Sequence, residues 1–284
     1  MEFRTKVHIH NKGISLSHRY KYLLLGSCFS DSIGDKLMNA GFDCVANPFG
    51  ALYNPLSIMN ALSMRDDEFY RWTQKSCDDL NFDQVIHTTD VFVLTFGTAW
   101  VYELKETGHV VANCKKQPET LFSRRRITID EIVEKYAQFI ENAVVPNHKT
   151  ILFTVSPIRH KKDGLHENQL SKSILLLAID CLCKAYPNNC YYFPSYEIML
   201  DELRDYRFYA DDMLHPSQVA VQYIWECFQQ TYFSPKTIEF IEQFEHLNRI
   251  LHHQPLDASN TAHQQLLAQT IEQINQLKHA IQNQ

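Results

Sequence analysis

Short apolar runs alternate with amphipathic stretches along most of this chain, and that alternation restricts the fold more than any other feature. The runs cover residues 22–25, 43–46, 91–96, 151–155 and 191–193, each with the length and the β-branched or aromatic content of a buried strand. Between them helical periodicity covers residues 31–40, 55–63, 129–142 and 168–185. Strands that alternate with helices predict an α/β fold, a parallel sheet covered on both faces and joined by right-handed crossovers. In such sheets ligands bind at the carboxyl ends of the strands. A further helix is expected over residues 216–228, with Pro216 at its first position. At the N-terminus Phe3, Thr5, Val7 and Ile9 alternate with Arg4, Lys6, His8 and His10, a strand pattern.

The length, 284 residues, fits one large domain with an appendage. We place the α/β domain at residues 1–232 and a C-terminal helical extension at 233–284. Residues 258–284 are glutamine-rich, with Leu267, Ile271, Ile274 and Ile281 at helical spacing. That helix either folds back on the domain or joins a second copy as a homo-oligomer. The polar stretch around Pro255 is the linker candidate.

Lysine plus arginine number 27 against 33 aspartate plus glutamate, a net charge of −6, which argues against a nucleic-acid surface. The basic cluster Arg124, Arg125 and Arg126 reads as a solvated loop or as a pocket for an anionic substrate group. No apolar run reaches the roughly 18 residues of a membrane span, and the N-terminus lacks the apolar segment of a signal peptide. A cytoplasmic location with reduced thiols is expected for the eight scattered cysteines. Cys181 and Cys183, two apart on a predicted helix, read as core thiols. The histidine pairs His8/His10 and His252/His253 each lack two further ligands, so neither a metal nor a cofactor is expected.

Three segments that follow predicted strands carry chemistry. In Gly26-Ser27-Cys28-Phe29-Ser30 the glycine permits a tight strand-to-helix turn. A side chain just after it sits at a helix N-terminus, where a nucleophile is exposed and a thiol pKa is lowered. In Asp212-Met213-Leu214-His215-Pro216 the carboxylate can accept from the imidazole and hold its tautomer. The third segment, Val93 to Trp100, ends its strand at Gly97-Thr98, where a backbone N–H or hydroxyl faces the same edge. Nucleophile, base and orienter at one sheet edge suit acyl transfer through a covalent intermediate. Arg159 and His160, after the fourth strand, are candidate substrate contacts.

These residues also resemble a known family. Gly26-Ser27-Cys28-Phe29-Ser30 is similar to the signature of the GSCFA-domain family, with Ser30 in place of the final alanine. Asn47-Pro48-Phe49-Gly50, Tyr53-Asn54-Pro55, Thr95 to Trp100, Asn113-Cys114, Ser156 to His160 and Asp212 to Pro216 resemble further blocks in the family's order. The family is placed by similarity among the SGNH-type, GDSL-like esterases and lipases. The resemblance implies a flavodoxin-like three-layer α/β/α fold and hydrolysis of an ester; our own expectation for the acyl part is a small O-acetyl group. It also implies His215 as general base, Asp212 as its partner and Gly50 as a backbone donor to the oxyanion. The family's G-x-N-D block reads G-T-A-W here, so Ala99 stands where an amide donor would be. Thr98 and Asn113 are the substitute candidates. The G-D-S spacing nominates Cys28 as nucleophile, whereas the superfamily's serine chemistry nominates Ser27; both stay open. An acyltransferase acting on a sugar hydroxyl and a catalytically silent binding module are the alternative functions.

Overall fold

Residues 4–75, 79–252 and 261–282 are described by the computed structural model of the chain. The linker candidate at Pro255, Phe3, Cys77 and His253 lie outside the described residues. In chain order the elements begin with β1 (Lys21–Gly26), α1 (Cys28–Asn39), β2 (Asp43–Ala46), α2 (Pro55–Ser63), α3 (Asp67–Trp72), α4 (Phe82–Thr88) and β3 (Val91–Phe96). An insertion follows, β4 (Trp100–Leu104), β5 (Val110–Val111) and β6 (Phe122–Arg126). Next come α5 (Ile129–Phe139), β7 (Thr150–Val155), α6 (Leu165–Ala185), β8 (Cys190–Phe193) and the short α7 (Ser195–Glu197). The chain closes with α8 (Gln218–Tyr232), α9 (Pro235–Leu251) and α10 (Thr261–Gln282).

The main sheet has the order β2-β1-β3-β7-β8, all parallel. Counting only its own strands, this is the 2-1-3-4-5 order of a flavodoxin-like doubly wound fold. The expected α/β/α class is therefore the observed one. Alternate strand residues enter opposite layers, because strand side chains have a period of two. Leu23, Leu25, Phe92, Leu94, Phe96 and Phe153 pack towards α2, α5 and α6. Tyr22, Leu24, Val91, Val93 and Leu152 pack towards α1, α8 and α9.

Local signals fix the helix starts. Asn54 caps α2 through its side chain, with Pro55 in the first turn, and Thr128 with Glu131 forms a capping box on α5; each cap contributes about 1 kcal/mol. Tyr136 donates to the Pro55 carbonyl at 2.9 Å and joins the two helices. Gly34 inside α1 has a packing cause: a Cβ there would lie 2.5 Å from the Ala46 Cβ.

Several expectations need correction. The N-terminal segment has Val7 and Ile9 packed on the core, but among the described residues no strand pairs with it and it is not a strand. Pro216 precedes its helix rather than opening it; Ser217 is the cap, and Pro216 bridges to Tyr209. The arginine triplet is a strand, β6, in an antiparallel sheet of order β5-β4-β6. Cys183 is buried, while Cys181 on the same helix is exposed. The C-terminal extension holds two helices among the described residues. Helix α9 inserts Phe240, Ile241 and Phe244 into the second core layer. Helix α10 contributes Ile274 to the same layer and leaves Leu266 and Ile271 exposed. Among the described residues no helix is long and apolar enough to cross a membrane.

Candidate active site

The carboxyl edge of the sheet changes winding direction between β1 and β3, and a cleft of about 390 Å³ opens there. Cys28, Tyr53, Asn54, Thr98, His160 and His215 line it. Trp100, Tyr102 and Arg124, from the inserted sheet, form an outer wall.

The β1–α1 turn is held from below by Asn47, a residue quoted above without a role. Its side-chain oxygen accepts from Gly26 N–H at 2.9 Å, and its amide donates to the Ser27 carbonyl at 3.2 Å. Asn47 itself adopts φ 41°, a conformation asparagine tolerates better than most residues. Within that turn the two nucleophile candidates have different surroundings. Ser27 is fully buried; its hydroxyl accepts from Phe29 N–H at 3.3 Å as the cap of α1 and donates to Ser156 Oγ at 2.9 Å. Cys28 is only partly buried and faces the cleft that His215 also lines.

The thiol is not acidified as the helix-terminus argument expects. Burial pushes its pKa up, and the charges of Asp31 and Asp212 push the same way; the N–H groups of Cys28 and Phe29 oppose them without prevailing. A neutral thiol of this kind needs a base. His215 Nδ1 lies 2.5 Å from Asp212 Oδ2. The other Asp212 oxygen accepts from the N–H groups of Leu214 and His215 at 2.8 and 2.9 Å. These backbone donors, with the imidazole, hold the Asp212 carboxyl down at about 2, so it stays ionised and orients the ring. Arg159 fastens the same loop: its N–H donates to Leu214 O at 3.2 Å and its guanidinium stacks on Tyr209 at 5.5 Å.

The expected oxyanion donors separate. Gly50 is a correction: its N–H is spent on the Asn47 carbonyl at 2.9 Å, closing a turn at φ 82°, and it is not among the residues lining the cleft. The N–H groups of Gly97 and Thr98 are likewise spent, both on the Tyr53 carbonyl at 2.9 Å. Thr98 lines the cleft; its hydroxyl accepts from Trp100 N–H at 3.1 Å and contacts buried Ser171 Oγ at 3.1 Å. Asn113 also lines the cleft, with its side-chain oxygen accepting from Lys115 N–H. A donor missed from the sequence is Asn54. It lines the cleft, and its oxygen is committed to Ser57 N–H at 2.8 Å, which leaves the amide nitrogen as its donor. The cue was the Tyr53-Asn54-Pro55 block, quoted above only for its resemblance.

Two buried bases lie behind this surface. Lys172 on α6 is fully buried and donates to the carbonyls of Gly97 and Ser156, both at 2.7 Å; burial pulls its pKa down to about 7. It ties together the loops after β3 and β7. His160, also lining the cleft, has a buried Nε2 without a partner among the described residues. Burial, with Lys172 and His215 nearby, brings its pKa down to about 3. The unfolded chain binds that proton near pH 6.5, and the folded chain only near 3. The stability owed to neutral His160 is therefore full above pH 6.5 and lost as pH falls towards 3. Urea midpoints at pH 7 and pH 5 should fall more for the wild type than for His160→Asn; equal falls would remove His160 as the cause.

Fold and site together define a doubly wound α/β protein with a thiol, an imidazole and a carboxylate grouped at its switch-point cleft. The chain belongs to the GSCFA family, whose model matches residues 21–77 and 66–228. No curated protein matches the sequence at a significant level. Among solved structures the chain is similar to a candidate acylhydrolase from Bacteroides fragilis, at 11% identity and a TM-score of 0.45 over 81% of this chain and 93% of that one. It is also similar to a GDSL-like lipase from Bacteroides thetaiotaomicron, at 13% identity and a TM-score of 0.44 over 79% of this chain and 88% of that one.

Proposed function

We propose that this chain hydrolyses esters of small acyl groups, O-acetyl esters first among them, through an acyl-thioester on Cys28. The observation that carries this reading is the shared cleft of Cys28 and the Asp212-oriented His215, while the Ser27 hydroxyl is buried against Ser156.

His215 Nε2 takes the thiol proton as Sγ attacks the ester carbonyl, and the carbonyl oxygen becomes an oxyanion. The Cys28 N–H at the start of α1 and the Asn54 amide are its first donors, with the Thr98 hydroxyl and Asn113 beside them. Collapse expels the alcohol, which receives the proton from His215, and leaves the acyl group on sulfur. Water then gives its proton to His215 and attacks the thioester; the carboxylic acid leaves and the thiol is restored. A thiolate is intrinsically more nucleophilic than an alkoxide source at neutral pH and tolerates the missing G-x-N-D asparagine. The His215 side chain is 46% exposed, so water reaches the thioester; this favours hydrolysis over transfer to a sugar.

Purified protein should release p-nitrophenol from p-nitrophenyl acetate, and added sugars should not divert the acetyl group. His215→Ala should bring the rate to background. Equal rates for the two proteins contradict the reading. Acylated sugar as the main product makes the chain a transferase, and no turnover of any ester makes it a binding module.

A further inference from the structure

The arginine triplet of β6 is dispersed by its partners. Arg125 is held by Glu103 and Glu131, and Arg126 by Glu167, and neither arginine lines the cleft. Arg124 alone lines the cleft, paired with Asp163 and lying over the Tyr102 ring at 4.6 Å and the Trp100 ring at 5.2 Å. Three more cations reach the same cleft from the loop after β7: Arg159, Lys161 and Lys162. Lys162 donates to the Tyr102 hydroxyl and pairs with exposed Glu119 at 3.2 Å. For Arg159 and Lys161 no carboxylate lies within ion-pair distance among the described residues. Asp163 offsets Arg124, Glu119 offsets Lys162 and ionised Asp212 faces His215, so the excess positive charge along the cleft is that of Arg159 and Lys161, in a chain of net charge −6. A recessed wall of one sign focuses its field and concentrates ligands of the other sign.

We infer that the ester taken by this cleft is anionic, its carboxylate or phosphate held at the rim by Lys161, Lys162 and Arg159 while the ester lies against Cys28. The inference rests on the esterase reading for the word ester, but the charge preference of the cleft is measurable without turnover.

The first measurement is the alkylation rate of Cys28 by anionic iodoacetate relative to neutral iodoacetamide, followed by peptide mass mapping and referred to free cysteine at the same pH. The excess of cations raises that ratio severalfold over free cysteine, against the opposing charges of Asp31 and Asp212. The ratio falls in the Lys161→Gln/Lys162→Gln double variant, and it falls in the wild type as salt is raised from about 0.01 M to about 1 M, where screening shortens from roughly 30 to 3 Å. A ratio equal to that of free cysteine, or one indifferent to both the variant and salt, overturns the inference. The second measurement compares kcat/KM for 4-acetoxybenzoate and for 4-acetoxyphenyl phosphate with the neutral methyl 4-acetoxybenzoate. A preference of about tenfold for either anion, carried by KM and reduced in the double variant, supports the inference and says which anion is taken. The neutral ester turned over as well as both anions overturns it. Turnover of none of the three with the alkylation preference intact defeats the esterase reading alone.

Discussion

Cys28→Ala will lose ester turnover by at least about 10³-fold, whereas Ser27→Ala will keep its kcat within about tenfold of the wild type. The two residues are adjacent, so the contrast separates one turn of geometry from composition. Cys28 lines the cleft with His215; without its sulfur no acyl intermediate forms, and what remains is binding and the oxyanion donors. Ser27 has its hydroxyl committed at both ends, accepting from Phe29 N–H and donating to Ser156 Oγ. Removing it costs a helix cap, about 1 kcal/mol, and leaves Ser156 short of one donor. A lower melting temperature with retained kcat is therefore the expected result for Ser27→Ala. Cys28→Ser keeps the position but replaces the thiol with a hydroxyl of far higher pKa, so it should recover little of the loss. The assay is steady-state hydrolysis of p-nitrophenyl acetate with melting curves for each protein. Full loss in Ser27→Ala with activity kept in Cys28→Ala reverses the assignment.

The second large effect is on folding. Gly26 ends β1 at the centre of the sheet, paired in register with Thr95 of β3, at φ 150°. A Cβ on that backbone would lie 2.2 Å from the Thr95 carbonyl oxygen and 2.8 Å from the Thr95 Cβ. Both are parts of a central strand, so neither can move aside as a flexible side-chain tip does. Gly26→Val must therefore separate β1 from β3 or bend the turn that carries Cys28. A loss above about 4 kcal/mol is expected, a large part of the 5–15 kcal/mol by which a typical domain is stable. Gly108→Val is the matched control. Its φ is 71°, so strain of about 1–3 kcal/mol is expected, but a Cβ there meets nothing within 4 Å. Urea unfolding of the two variants tests the contrast. Equal destabilisation would mean that backbone conformation, not the approach to Thr95, makes glycine necessary at position 26.

The main sheet was legible because its inner strands β1, β3 and β7 are buried on both faces and read as nearly unbroken apolar runs. Val91–Phe96 and Asp43–Ala46 end where the runs end. Parallel strands of this kind need no polar alternation. The inserted sheet was missed for the opposite reason. β6 reads Phe-Ser-Arg-Arg-Arg, and its arginines are tolerated in a strand because Asp163, Glu103, Glu131 and Glu167 neutralise them from distant parts of the chain. A signal was present in β4, where Trp100, Tyr102 and Leu104 alternate with Val101 and Glu103. In the N-terminal segment the reverse holds: the alternation is real, but a strand also needs a hydrogen-bonding neighbour, which periodicity does not report.

The Asp212–His215 pair was legible because its members are three positions apart and both belong to one loop. The backbone donors were not. Whether Gly50 N–H faces a ligand or a carbonyl depends on the Asn47–Gly50 turn, and here the Asn47 carbonyl takes it. The thiol illustrates the same limit. A helix start lowers a thiol pKa, but the burial that raises that of Cys28 comes from residues far away in sequence, Tyr53 and Ile158 among those around the cleft.

The central claim is a covalent acyl group on Cys28, and trapping it is the most direct test. The protein is mixed rapidly with an aryl acetate, quenched in acid within the first turnovers, digested and mapped by mass. The account predicts one acetyl group on the peptide carrying Cys28, released by neutral hydroxylamine as a thioester is and absent in Cys28→Ala. Turnover that leaves the acetyl group on Ser27, or that proceeds at the wild-type rate in Cys28→Ala, would contradict it.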